Sequence, residues 1–111
     1  MGSKEVKQVL TRLYLGLNDK DTLQPVKIVD SIATIQWIAE REGIEGMTIM
    51  NGQGVYKMVS TGEVVYENTL IIELLFVSDE TIRQFIDGLK LIFNQETIGL
   101  QQIELTRCEL A

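Results

Sequence analysis

The spacing of apolar residues switches repeatedly along this chain, and the order of those switches restricts the fold more than any single motif does. From about Lys7 to Leu17 the period is two: Thr11, Leu13, Leu15 and Leu17 share one parity, and Arg12, Tyr14 and Gly16 the other. A polar loop, NDKDTLQP, ends in Pro25, a residue tolerated in a first helical turn. In VKIVDSIATIQWIAERE the period lengthens. Ile28, Ile32, Ile35 and Ala39 share a helical stripe with Val29 beside it, Arg41 sits in the last turn, and Gly43 follows as a cap. A strand starting near Met47 then runs through NGQGVYKMVSTGEVVYEN to the turn at Ser60–Gly62, and another runs from Glu63 to Val77. Ser78 reads as an N-cap, with Asp79 and Glu80 where carboxylates suit a helix dipole. Ile82, Phe85, Ile86, Leu89 and Phe93 make one helical face, and a last strand spans Thr97 to Cys108. Its apolar parity changes between Leu100 and Ile103, which predicts a bulge or an end of pairing.

The order βαββαβ predicts an α+β fold, the ferredoxin-like plait: an antiparallel sheet with two helices on one face and an extended hairpin between the second and third strands. Right-handed crossovers set the strand order 4-1-3-2. At 111 residues the chain is expected to be one domain, 1–111, with a real core.

Two consequences follow. The third strand, TLIIELLFV, is apolar on both faces apart from Glu73. If Leu70, Ile72, Leu74 and Phe76 face the helices, then Ile71, Leu75 and Val77 point the other way, where a one-sided strand would be polar. A homo-oligomer covering that open face is expected, with Ile71, Leu75, Val77 and Tyr66 as interface candidates. Strand directions also bring the loop Asn18–Pro25, the tip Ser60–Gly62 and the turn Asn94–Thr97 to one end. A ligand site is expected there, on loops held by a rigid scaffold. The ligand-binding candidates are Gln53, Tyr56, Lys57, Glu67, Asn94, Gln95 and Glu96.

Each candidate also has a plainer reading. Tyr56 opposite Tyr66 makes a cross-strand aromatic pair, and Gly52 and Gly54 make a bulge that bends the arm. Asn94 reads equally as a left-handed cap of the second helix. Asp19 and Asp21 read as solvated loop acids, Cys108 as an inert thiol and Trp37 as a helix flank.

Composition narrows the chemistry. There is no histidine, so neither a Ser-His nor a Cys-His pair exists, and no His-ligated zinc site. No metal site is expected, and the cofactor is left unknown. A net charge of −6 without a basic cluster disfavours nucleic acid. A single cysteine excludes an internal disulfide. No apolar run is long enough to span a membrane, so no membrane association is expected, and the expected location is cytoplasmic.

The stretch from Gly54 to Glu104 resembles the PII and CutA group: an aromatic before the turn (Tyr56), Glu67 on the returning arm, the LIIEL strand, then a helix closing on FNQE. TRLYLGL, GQGVY and NQE are also similar to an uncharacterised bacterial family within that group. The resemblance implies a homotrimer with small ligands in clefts between subunits, and an arm, Gln53 to Glu67, that docks on partner proteins. The nucleotide-cradling glycine-rich and basic residues of signalling PII proteins are missing, and FNQE replaces the CutA His-Pro-Tyr turn. The resemblance implies a non-catalytic binding or regulatory protein, not an enzyme. The alternatives are a small cofactor-free ferredoxin-fold enzyme and a purely structural oligomer.

Overall fold

The computed structural model describes residues 9–110. Its elements are β1 (Val9–Gly16), α1 (Ile28–Arg41), β2 (Thr48–Lys57), β3 (Val64–Leu75), α2 (Asp79–Ile92) and β4 (Gly99–Glu104). They form the expected antiparallel plait, in the order β2-β3-β1-β4. Residues 7 and 8 of the expected first strand lie outside the described part.

Leu13, Leu15 and Leu17 of β1 and the adjoining loop meet Leu70, Ile72 and Leu74 of β3 under the helices. Ile35, Ile38, Ile82, Phe85 and Leu89 close the core from above. Both helices end in the same way. Gly43 has φ +75°, and Ile44 N–H donates to Ala39 C=O at 2.9 Å. Asn94 has φ +49°, and Gln95 N–H donates to Lys90 C=O at 3.0 Å. These are left-handed caps that satisfy terminal carbonyls, as the sequence led us to expect of Gly43 and allowed for Asn94. Ser78 caps α2 by accepting from Thr81 N–H at 3.2 Å.

The structure corrects several details. Helix α1 starts after Pro25, which instead pairs with Asn18 in an isolated bridge. Its inward stripe holds Ser31 in place of Ile32. The Ser31 hydroxyl donates to Lys27 C=O at 2.7 Å, so its burial leaves no polar group unpaired. Strand β3 ends at Leu75. Phe76 takes a left-handed φ of +60°, which breaks the strand parity. Phe76 is therefore exposed rather than facing the helices, and Val77 packs against the core rather than on the open face.

Strands β2 and β3 pair without interruption from Thr48↔Glu73 to Lys57↔Val64, so Gly52 and Gly54 mark no bulge. Tyr56 lies opposite Val65, and Tyr66 opposite Val55. The two tyrosines are on opposite faces and are not a cross-strand pair. Strand β4 pairs with β1 without interruption from Gly99 to Glu104, so the parity change between Leu100 and Ile103 marks neither a bulge nor an end of pairing, and the strand is shorter than the expected Thr97 to Cys108. The last β1 pairing to β3 is Gly16↔Thr69, so the pairs from Gln53↔Asn68 outward form a two-stranded arm with no third strand beside it among the described residues. The arm contributes to an elongated outline of 58 × 28 × 25 Å.

Candidate functional site at the base of the arm

Opposed residues of an antiparallel ladder share a face, so the register maps the open side of the sheet in rows. One row is Thr48, Glu73, Arg12 and Gln101; the next is Met50, Ile71, Tyr14 and Gly99. Then the surface changes character. The third row is Gly52, Thr69 and Gly16, and the fourth is Gly54 and Glu67, with Tyr56 and Val65 beyond. Three glycines thus strip the sheet of side chains where the arm leaves it. Glu67 and Thr69 occupy the bared ground.

Glu67 is half-buried there. A Cβ placed on Gly16 would lie 2.5 Å from Glu67 Oε1, so the carboxylate occupies the space that any side chain at position 16 would need. A Cβ on Gly54 would lie 2.9 Å from Thr69 Oγ1. Asn18 N–H donates to Glu67 Oε2 at 3.2 Å and fixes the far side of the carboxylate. Tyr56 is the diagonal neighbour of Glu67 on the same face. Tyr14, two rows away, donates its hydroxyl to Gln101 Oε1 at 2.8 Å and presents its ring to the open side.

Asn18 is held from behind. Gln95 Nε2 donates to Asn18 C=O at 2.6 Å, Leu17 N–H donates to Asn68 C=O at 2.9 Å, and Lys20 N–H donates to Asn94 C=O at 3.2 Å. Asn94 Nδ2 donates to Asp19 Oδ2 at 3.0 Å and Asp21 Oδ2 at 2.9 Å. The Asn94 amide, with the Asp21 and Thr22 N–H groups, holds the Asp19 carboxyl below its ordinary pKa. The loop 18–25 and the turn at Asn94–Thr97 therefore meet the arm base at one end of the sheet, while the tip Ser60–Gly62, expected to join them, is carried away from them by the arm, which runs on to Lys57↔Val64 after β1 pairing has ended.

The candidates divide. Glu67 and Tyr56 come together on the open face. Gln53 and Lys57 lie on the opposite face of the arm, and Lys57 approaches the turn glycine Gly62. Asn94 and Gln95 spend their side-chain amides on the loop 18–25, and Glu96 is exposed. Of the interface candidates, Ile71 and Leu75 stand on the open face, and Tyr66 is exposed on the other face of the arm. Between Leu75 and Ile71, Arg12 Nε donates to Glu73 Oε2 at 2.5 Å. That bond raises the guanidinium pKa above its ordinary value. The sequence reading passed over Gly16, Asn18 and Thr69. A glycine inside the alternating run TRLYLGL was the available signal, because glycine in a strand marks close approach by another group.

Clefts of the single chain also gather at the other end, around Ile44–Met47 and Leu75–Ser78, the largest of these about 380 Å³. Among the described residues no three Cys, Asp or Glu side chains come together to hold a metal ion. No helix among them is long and apolar enough to cross a membrane.

No family model and no curated protein matches the chain. Solved structures do. A phage SAM lyase in complex with S-methyl-5′-thioadenosine superposes with a TM-score of 0.72 over 94% of this chain and 86% of that one, at 24% identity. A phage SAM lyase in the apo state superposes with a TM-score of 0.63 over 98% of both chains, at 23% identity. CutA from Synechococcus elongatus PCC7942 gives 0.59 over 89% of this chain and 77% of that one, at 11% identity. Other CutA proteins and a GlnK complexed with ATP share the fold. This likeness shows the fold, the ferredoxin-like plait shared with CutA and GlnK, as the sequence resemblance implied. The expectation that the protein is not an enzyme is overturned, because two structures that match nearly the whole chain are of an enzyme.

Proposed function

We propose that the protein is a small enzyme that cleaves a sulfonium nucleoside of the S-adenosylmethionine type without water, on the open face at the base of the arm. The observation that carries this reading is the superposition over 94% of the chain on a SAM lyase holding S-methyl-5′-thioadenosine. The chain itself supplies a half-buried carboxylate, Glu67, on a strip of sheet bared by glycines, with the Tyr56 ring beside it. Aromatic faces attract a sulfonium by cation–π interaction.

The chemistry needs no histidine. A sulfonium is already a good leaving group, so no acid must protonate it. In the simplest balanced step, an oxygen of the substrate's own carboxylate attacks the carbon that bears the sulfur. The carbon–sulfur bond breaks, its electron pair goes to sulfur, and the products are a neutral thioether and a lactone. Charge on sulfur falls along this path, so a carboxylate held against the sulfur would favour the ground state. Glu67 serves better on the substrate's α-ammonium, which keeps its charge throughout. Held there, the aminobutyrate chain folds back for the internal displacement, and the gain is one of orientation.

Among the described residues of one chain the open strip lacks a roof. In this proposal further copies supply it, in a trimer, pressing on Ile71 and Leu75. A cytoplasmic setting belongs to the same proposal, supported by the single cysteine.

The test is to incubate purified protein with S-adenosylmethionine and follow S-methyl-5′-thioadenosine and the four-carbon product by liquid chromatography. Release of the thioether with a lactone, lost in Glu67→Gln, is the expected outcome. Homoserine formed directly, or an alkene product, would replace the internal displacement by hydrolysis or elimination. No turnover, together with no rise in melting temperature on adding S-methyl-5′-thioadenosine, would sink the proposal.

A further inference from the structure

We infer that Gly16 is a positioning residue for the site: its missing side chain is what lets the Glu67 carboxylate lie across β1. This deepens the proposal above, since it assumes that Glu67 is the working carboxylate. Three observations carry it. A Cβ at position 16 would sit 2.5 Å from Oε1, 2.7 Å from Cδ and 2.8 Å from Oε2 of Glu67, so the whole carboxylate fills that volume. The three nearest atoms all belong to the functional end of one side chain. Gly16 does not have a left-handed φ, so its backbone geometry does not require glycine. Finally, the carboxylate is fixed on its other side by the Asn18 N–H, and Asn18 C=O is pinned by the Gln95 amide. The carboxylate is thus seated between a hollow and a donor, and the hollow is Gly16.

A methyl at position 16 would push Glu67 off the Asn18 N–H and out towards the open side. The fold would lose little, because the end of a Glu side chain can turn. The site would lose its orientation. An aspartate at position 67 is one methylene shorter and draws the carboxylate back from the hollow, so the same methyl no longer displaces it. The effect of Gly16→Ala therefore depends on the length of the side chain at position 67.

The experiment uses Gly16→Ala, Glu67→Asp and the double variant Gly16→Ala/Glu67→Asp. One readout is hydrogen-exchange protection of the Asn18 amide in ¹⁵N-labelled protein. In the natural sequence the bond to Glu67 Oε2 should protect this amide, and Gly16→Ala should lose that protection. The other readout is turnover of S-adenosylmethionine, which should fall about a hundredfold in Gly16→Ala, the scale of an ångström-sized misplacement. Binding of S-methyl-5′-thioadenosine, which has no ammonium, should stay. In the Glu67→Asp background the added methyl should change neither readout. Folding of Gly16→Ala only in company with Glu67→Asp would support the same conclusion. Unchanged Asn18 protection in Gly16→Ala, or an equal loss from the methyl in both backgrounds, would overturn it. A chain that never binds S-methyl-5′-thioadenosine or turns over S-adenosylmethionine would defeat the proposed function while the exchange of the Asn18 amide still tests Gly16.

Discussion

Strand β3 has two faces that differ by a single residue step and do different work. On one face Leu70, Ile72 and Leu74 are wholly buried beneath the helices. On the other Glu67, Thr69, Ile71, Glu73 and Leu75 are only half-covered or exposed, and they alternate charge, hydroxyl and hydrocarbon. The helix face is continuous hydrocarbon, and its value is the area removed from water. The open face is a sequence of distinct sites: an ion pair, an aliphatic row, then a strip of glycines with one carboxylate. Continuous burial specifies the fold. Interrupted burial leaves room for something else to bind.

The comparison is broken most forcefully by truncating neighbours on the two faces. Ile72→Ala removes a fully buried side chain and should cost about 2–5 kcal/mol in denaturant unfolding. Ile71→Ala, one residue away, should cost much less of that intramolecular stability. Under the proposed packing of further copies on the open face, its effect should appear in self-association measured by light scattering. If Ile71→Ala destabilised the fold as much as Ile72→Ala, the two faces would not be distinct in the way the structure describes.

The next test concerns the pair Arg12 and Glu73. Glu73→Leu leaves the guanidinium without its carboxylate amid Leu75, Leu10 and Ile71, and should lower the melting temperature. Arg12→Met/Glu73→Leu should recover the loss, because a half-covered charge pair is replaced by hydrocarbon without leaving either partner alone. Failure of the double change to recover stability would mean that the pair stabilises the chain more than the hydrocarbon that replaces it.

Smaller again is the effect at Asn94. Asn94→Gly keeps the left-handed backbone and loses only the amide bridge to Asp19 and Asp21. Asn94→Ala loses both, and should be about 1 kcal/mol less stable than Asn94→Gly in thermal unfolding. Equal stability of the two variants would show that the backbone conformation is not what Asn94 provides.

What the sequence made legible follows from where its signals are redundant. The strand order came from period and handedness together, and Ser78, Gly43 and Asn94 each carry a cap signal that matches the period beside it. Helix α1 was harder. Ile28, Val29, Ile32, Ile35 and Ile38 are all apolar, so its inward stripe could be turned by one position, and Ser31 hides there because its hydroxyl bonds to its own helix. The arm shows how sensitive register is. The hairpin closes with Met58 N–H donating to Glu63 C=O at 2.8 Å, which sets Tyr56 against Val65. A shift of one residue in that pairing moves Tyr66 to the other face. Phe76 was illegible for another reason: nothing in TLIIELLFV marks the left-handed residue that ends the strand. The carboxylate at Glu67 was legible as a candidate, but its seat was not, since the seat consists of an absent side chain on a different strand.

The smallest expected effect separates the loop 18–25 from the sheet it abuts. The Asp19 carboxyl has its pKa lowered, chiefly by the Asn94 amide and then by the N–H groups of Asp21 and Thr22. Its ordinary value is 3.8. A group whose pKa falls on folding stabilises the folded state above its unfolded value and loses that contribution as pH falls through the lowered value. The loop should therefore keep its order at pH 5 and begin to lose it only below the ordinary aspartate range, while the paired strands are unaffected. Amide hydrogen exchange at Asp21 and Thr22, whose N–H groups donate to Asp19 Oδ1 at 2.8 and 3.1 Å, reads this directly. Relative to the β1–β3 amides, their protection should drop on acidification. In Asp19→Asn the drop should vanish, because the residue at position 19 no longer titrates. Persistence of the acid-induced loss in Asp19→Asn would show that the Asp19 carboxylate is not its source.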